Sequence, residues 1–185
     1  MNVPKLRFVE FEYEWASKLI SEIVDNFGGT ALEEFVSESG THKFISIGNY
    51  LKTGNYFDNG QRVVLNEKTS TKLLNENDLV MVLNDKTQAG DLIGSTILIN
   101  ESDKFIYNQR SERLVCKIQT VFPKFLWHLF NTQKFRKMVF SISQGGTQIY
   151  VNFPAVKKLN VSVPNIEEQQ KIADFLSAVD DKITA

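Results

Sequence analysis

Asp180-Asp181-Lys182 has the Asp-x-Lys spacing that metal-dependent phosphodiester chemistry could use, carboxylates for a cation and an ammonium for a phosphate. Those side chains fall on the polar side of a stretch with helical periodicity, where charges are ordinarily solvated. Asn152-Phe153-Pro154-Ala155 has the Asn and Pro of a loop that grips an extruded base. It lacks the aromatic that would stack on that base, and no cofactor loop precedes it. Zinc needs several Cys and His ligands at set spacings, and the chain offers only Cys116, His42 and His128, far apart. Gly28-Gly29 and Gly145-Gly146 lack the Lys-Ser/Thr that completes a phosphate-binding loop. Glu167 and Glu168 stand where a helix dipole favours negative charge, which accounts for them better than acid–base work does. The sequence predicts no catalytic residue, no metal site and no cofactor.

Binding is the better-supported chemistry. The net charge is −1, yet Lys104, Arg110, Arg113, Lys117, Lys124, Lys134, Arg136 and Lys137 crowd one segment whose single acid is Glu112. Local potential rather than net charge steers association, so this segment fits a phosphate backbone. A solvated basic face is the alternative. Arg110 and Arg113 suit guanine edges, and Asn108, Gln109, Gln144 and Gln148 suit adenine edges, with Thr147 able to meet a base or a phosphate. Lys104, Lys134, Arg136 and Lys137 read as phosphate contacts that set position. Lys43, Arg62, Lys72 and Lys86, in or beside turns, form a second tier.

The elements that must position these residues are α+β. The spacing of Trp15, Leu19, Ile20 and Ile23 predicts an amphipathic helix over 14–24, ended by Gly28-Gly29-Thr30. Short β-branched runs follow: Phe44-Ile45-Ser46-Ile47, Arg62-Val63-Val64-Leu65, 79–83, 93–99 and 114–118. Turn-formers between them suit a curved, barrel-like sheet rather than a βαβ repeat. Phe125, Leu126, Leu129 and Phe130, then Phe135, Met138 and Val139, predict a helical hairpin bent at Asn131-Thr132-Gln133, with Thr132 as cap. Asn165 can cap a last helix in which Ile172, Leu176, Val179 and Ile183 recur as a coiled-coil seam. At 185 residues and 42% hydrophobic content, the chain fits one domain over 1–163 plus a helical appendage over 164–185. No apolar run reaches the ~18 residues of a membrane span. Met1-Asn2-Val3-Pro4 runs into charged residues, so no leader is expected, and a lone Cys116 suits a reducing cytoplasm.

The residues also carry a family likeness. Pro164, Glu167-Glu168-Gln169, Lys171-Ile172-Ala173, Phe175-Leu176, Asp180 and Ile183 together resemble the hallmark that closes each half of the DNA-specificity subunit of type I restriction-modification systems. Val3-Pro4-Lys5-Leu6-Arg7-Phe8, with Trp15 and Leu19, is similar to that family's opening. Lys43-Phe44-Ile45-Ser46-Ile47-Gly48-Asn49 is similar to its first recognition strand. Gly145-Gly146-Thr147-Gln148, ahead of Val156-Lys157-Lys158-Leu159, is similar to its closing loop. The ordered set brackets nearly the whole chain.

The resemblance implies a non-catalytic subunit of a methyltransferase–endonuclease complex. In that family two target recognition domains each read one half of a split double-stranded DNA target. Two antiparallel helices hold them apart and dock methyltransferase subunits, which restriction subunits join. By that likeness 1–163 is a target recognition domain and 164–185 the start of a spacer helix. One domain and a few helical turns imply a fragment, an excised domain, or a half-length subunit that pairs with a second copy through Ile172, Leu176, Val179 and Ile183. The alternative is a protein-interaction module that uses the same helix and reads no DNA.

Overall fold

No side of the strand Leu79–Val82 meets solvent, and the rest of the chain is layered around it. The computed structural model describes residue 4 and residues 6–184. Its strands are β1 (Ala16–Leu19), β2 (Val24–Gly28), β3 (His42–Ile45), β4 (Arg62–Val63), β5 (Leu79–Val82), β6 (Asn84–Asp85), β7 (Thr96–Leu98), β8 (Phe105–Tyr107), β9 (Ser111–Cys116), β10 (Ile149–Tyr150) and β11 (Asn160–Val163). The helices are α1 (Ile20–Ile23), α2 (Glu67–Ser70), α3 (Pro123–Phe130), α4 (Gln133–Ser141), α5 (Phe153–Val156) and α6 (Ile166–Thr184). A four-stranded sheet runs β2-β9-β5-β7 and a three-stranded sheet runs β4-β3-β8; β1-β11 and β10-β6 are two-stranded ladders.

Alternation along β5 sorts the layers, because successive side chains point to opposite faces. Leu79 and Met81 join a core with Phe125, Leu126 and Phe130 of α3, Phe135 and Val139 of α4, and Ala173 of α6. Val80 and Val82 face the other way, onto Ile45, Phe105 and Tyr107 of the three-stranded sheet. Beyond that sheet Phe44, Val63 and Ile106 pack on Leu32. Helices, sheet, second sheet and a covering loop thus stack in order.

The hairpin forms as its sequence predicts. The Thr132 hydroxyl accepts the Phe135 N–H at 3.2 Å, capping α4, and Phe130 stacks on Phe135 at 4.4 Å between centroids. Asn131 at the bend pairs with the outer strand of the sheet. It accepts the Thr96 N–H at 3.1 Å and donates to the Thr96 carbonyl at 2.8 Å. That satisfies backbone groups an edge strand would otherwise leave open.

Two expectations need correction. The apolar stripe over 14–24 does face inward at Ile20 and Ile23, but only Ile20–Ile23 is helical. Residues 16–19 instead complete a ladder with β11, Ala16↔Val163 through Leu19↔Asn160. A helix of that length is marginal on its own, so tertiary pairing decides its conformation. Nor do the short strands close into a barrel; they divide among separate sheets.

The last helix starts as its residues imply, with Asn165 Oδ1 accepting the Glu168 N–H at 2.9 Å. Its first turns are tied into the subunit. Glu168, 1% exposed, receives Arg7 Nε and Nη2 at 2.7 Å each and Trp15 Nε1 at 3.1 Å. Phe8 packs edge-on against Phe175, and Lys171 pairs with Glu10. The motif residues Val3 and Lys5 lie outside the described residues. Farther along, the seam opens to solvent: Leu176 is 36% exposed, Val179 37% and Ile183 77%, whereas Ile172 still packs on the core. Among the described residues no helix is long and apolar enough to cross a membrane.

Candidate nucleic-acid interface

Three chain reversals meet where β5 ends and β9 begins. Val82 pairs with Ser111, and the Leu83 N–H donates to the Arg110 carbonyl at 2.9 Å. The chain continues into β6, which pairs with β10 in the register Asp85↔Ile149 and Asn84↔Tyr150. The turn after β6 and the loop before β10 therefore leave the same ladder side by side, next to Arg110. Two glycines make this possible. Gly145 has φ +109°, and a Cβ there would sit 2.1 Å from the Gln148 carbonyl oxygen. Gly90 has φ +63°, and its Cβ would sit 2.5 Å from both Ile149 and Phe140.

The helical side of this end is tied in by cations. Arg136 Nη1 donates to the Lys52 carbonyl at 2.8 Å, and Lys52 Nζ meets Asp91 at 2.6 Å. Burial pulls the Arg136 guanidinium below its ordinary pKa, opposed by Asp91 and Asp85; the Lys52 ammonium lowers that of Asp91. Lys52, Asp91, Arg136, Lys137 and Phe140 line a recess of about 520 Å³. A second recess of about 470 Å³ holds Lys86, Arg110, Gln61, Ser46 and Glu33. Lys86, Arg110 and Lys137 form no ion pair among the described residues; Lys86 and Lys137 are exposed and Arg110 is half-buried.

The structure brings Arg110, Arg136, Lys137, Gln144, Thr147 and Gln148 to this end and sends other candidates elsewhere. Asn108 is 4% exposed and spends its side chain on the fold, donating to Glu33 at 2.8 Å and accepting the Gln109 N–H at 2.8 Å. That bond from Asn108 holds the Glu33 carboxyl below its usual range. Gln109 beside it is exposed. Arg113 lies along the middle of the sheet, 2.8 Å from Asp78 and stacked over Phe27. Lys104 sits at the far end of β8 near Glu101, and Lys134 lines a separate recess with Trp15 and Asn160. The basic segment of the sequence is not one continuous surface. In the second tier, Lys43 and Arg62 face Asp58, Lys72 donates to the Gly28 carbonyl, and only Lys86 joins the gathered end.

Lys52 was invisible to sequence reading. It lies in a turn far from the basic segment, and only tertiary pairing with Asp91 and Arg136 brings it in. Asp85 was hidden for a different reason: Asn84-Asp85 reads as a turn signal, and the β6–β10 ladder that gives it a role spans more than sixty residues.

Comparison with known proteins gives a consistent result. Residues 12–185 match the family described as Type I restriction modification DNA specificity domain. The chain is 28% identical over 111 residues to the type I restriction enzyme MjaVIII specificity subunit of Methanocaldococcus jannaschii, 60% of this chain and 26% of that protein. It is 27% identical over 139 residues to the HindI specificity subunit of Haemophilus influenzae, 69% of this chain and 30% of that one. The fold is similar to the type I restriction-modification S subunit from M. genitalium, with TM-score 0.71 at 19% identity, over 98% of this chain and 42% of that one. For the HsdS subunit from Thermoanaerobacter tengcongensis the TM-score is 0.65 at 11% identity, over 94% and 39%. The chain thus spans less than a third of the length of these two curated relatives.

Proposed function

The chain belongs to the type I restriction-modification DNA specificity family, and from that premise we propose that it binds double-stranded DNA sequence-specifically and breaks no bond itself. The observation that carries this reading is the convergence of Lys86, Arg110 and Lys137 with Gln144, Thr147 and Gln148 at one end of the sheet. Cations there neutralise phosphates, and the amides and hydroxyl supply base-edge donors and acceptors. In this reading residues 1–163 form a target recognition domain for one half of a split target, and 164–185 begin a spacer helix. The helix is clamped by its first turns and offers Leu176, Val179 and Ile183 beyond them. That exposed seam suits docking of methyltransferase and restriction subunits, or of a second copy, in a cytoplasmic complex.

Equilibrium titration of the 185-residue chain with a duplex tests the proposal. Each phosphate contact adds about 0.9 to the slope of log affinity against log salt. Lys86, Arg110 and Lys137, the cations here that are not spent on Asp91, together predict a slope of about −3. Absence of binding at low salt, or affinity insensitive to salt, overturns the reading.

A further inference from the structure

We infer that the 85–92 turn and the 144–148 loop form one base-reading element, with Asp85 as its positioning residue. This rests on the duplex-binding reading above and specifies the ligand of that surface: base edges in one groove, in addition to phosphates.

Asp85 is 4% exposed, yet both its carboxylate oxygens are used inside its own turn. Oδ1 accepts the Thr87 N–H and the Thr87 hydroxyl, each at 2.9 Å, and Oδ2 accepts the Leu92 N–H at 2.7 Å. A buried carboxylate persists only where such donors replace water, so the turn keeps one shape while its charge stays hidden. The other acid of the turn is also masked, since Lys52 pairs with Asp91 and Arg136 faces both Asp91 and Asp85. An approaching phosphate therefore meets little repulsion.

The turn does not stand alone. Asp85↔Ile149 is the last pair of the β6–β10 ladder, so Lys86 and Gln148 emerge next to each other on adjacent strands. Gly90 brings the far side of the turn against Ile149 and Phe140, joining it to the loop and to α4. What the pair presents is Lys86, Gln88, Thr147 and Gln148, all exposed. Lysine suits guanine acceptors, and glutamine suits the donor–acceptor pair of adenine; a major groove admits a two-stranded ribbon. Fixing the ribbon before binding lowers the ordering cost on contact, which favours discrimination over mere attachment.

Selection of duplexes from a random pool tests this, using the 185-residue chain and three variants. Gln88→Ala/Gln148→Ala removes base-edge groups without changing charge, so the salt slope should stay the same. Preference at adjacent positions of the enriched sequence should fall by about tenfold or more. Asp85→Ala keeps both glutamines but frees the turn; it should lose the same preference while its affinity for random duplex is equal or higher. Asp85→Asn, which retains an acceptor for Thr87, should recover part of it. Enrichment of the wild-type sequence by both alanine variants overturns the inference, as does uniform weakening at all positions. A wild-type chain that binds duplex but enriches nothing also overturns it, whereas one that binds no duplex removes the underlying reading.

Discussion

Reversing Lys86, Arg110 and Lys137 to glutamate together should lower affinity for a duplex by about two orders of magnitude or more near physiological salt. Each lost phosphate contact forfeits counterion release worth ~0.9 in the log–log slope, so three of them flatten the slope by about 3. None of the three forms an ion pair among the described residues, so the fold should melt close to the unaltered chain. The matched control is Lys104, Lys124 and Lys134, equal in charge and within the same basic stretch of sequence. Their reversal should change affinity only a fewfold, because Lys104 and Lys134 lie away from the gathered end and Lys124 borders another recess, near Trp127 and Asp180. Fluorescence anisotropy at one salt concentration compares the two triples. Equal losses would assign binding to diffuse charge rather than to this surface.

The second large effect is on stability. Gln169 is fully buried, and each polar atom of its side chain is engaged. Oε1 accepts the Phe122 N–H at 2.8 Å, while Nε2 donates to the Pro164 carbonyl at 2.8 Å and the Thr120 carbonyl at 3.1 Å. One side chain thus joins the start of α6 to the segment entering α3. Gln169→Ala removes the partner of three backbone groups, one bonded in a fully buried setting and two in partly buried ones. At about 1–3 kcal/mol for each buried group left unsatisfied, the loss should be roughly 3 kcal/mol or more. Gln170→Ala, one residue on, removes only an exposed bond to Asp174 and should stay within about 0.5 kcal/mol. Urea unfolding of the two variants checks the contrast. A Gln169→Ala midpoint equal to that of the unaltered chain would show that α6 is not clamped in this way.

The helical hairpin was legible because local chemistry and tertiary structure agree there. Pro123 opens α3, Thr132 caps α4, and the stripes of Phe125, Leu126, Phe130 and Phe135 point where the periodicity directs them. At the start of α6 the capping role of Asn165 was equally plain. The purpose of Glu168 and Gln169 was not, because their partners Arg7, Trp15, Thr120 and Phe122 lie up to 161 residues away in sequence. Residues 16–19 mislead for the same reason. Their helical spacing is real, but the ladder with 160–163 supplies backbone partners that a short helix could not match.

The proposed binding surface was only partly legible. Sequence gave the right chemical types in the 104–147 stretch, and Arg110, Arg136, Lys137, Gln144, Thr147 and Gln148 do converge. It gave no warning that Arg113 would pair with Asp78 or that Asn108 would turn inward to Glu33. Asn108 follows the end of β8 and Arg113 lies within β9, so pleat and register set the direction of both side chains, which a list of charges does not contain. Lys52 and the Asp85-held turn entered only through pairing of distant segments.

Amide hydrogen exchange of the 185-residue chain, alone and with saturating duplex, tests the central claim most directly. Binding through the gathered end predicts slowed exchange over 84–92, 108–110 and 136–148, with 101–104 and the outer turns of α6 unchanged. Protection confined to the surfaces of Lys104, Lys134 or α6, or no protection anywhere under saturation, would contradict it.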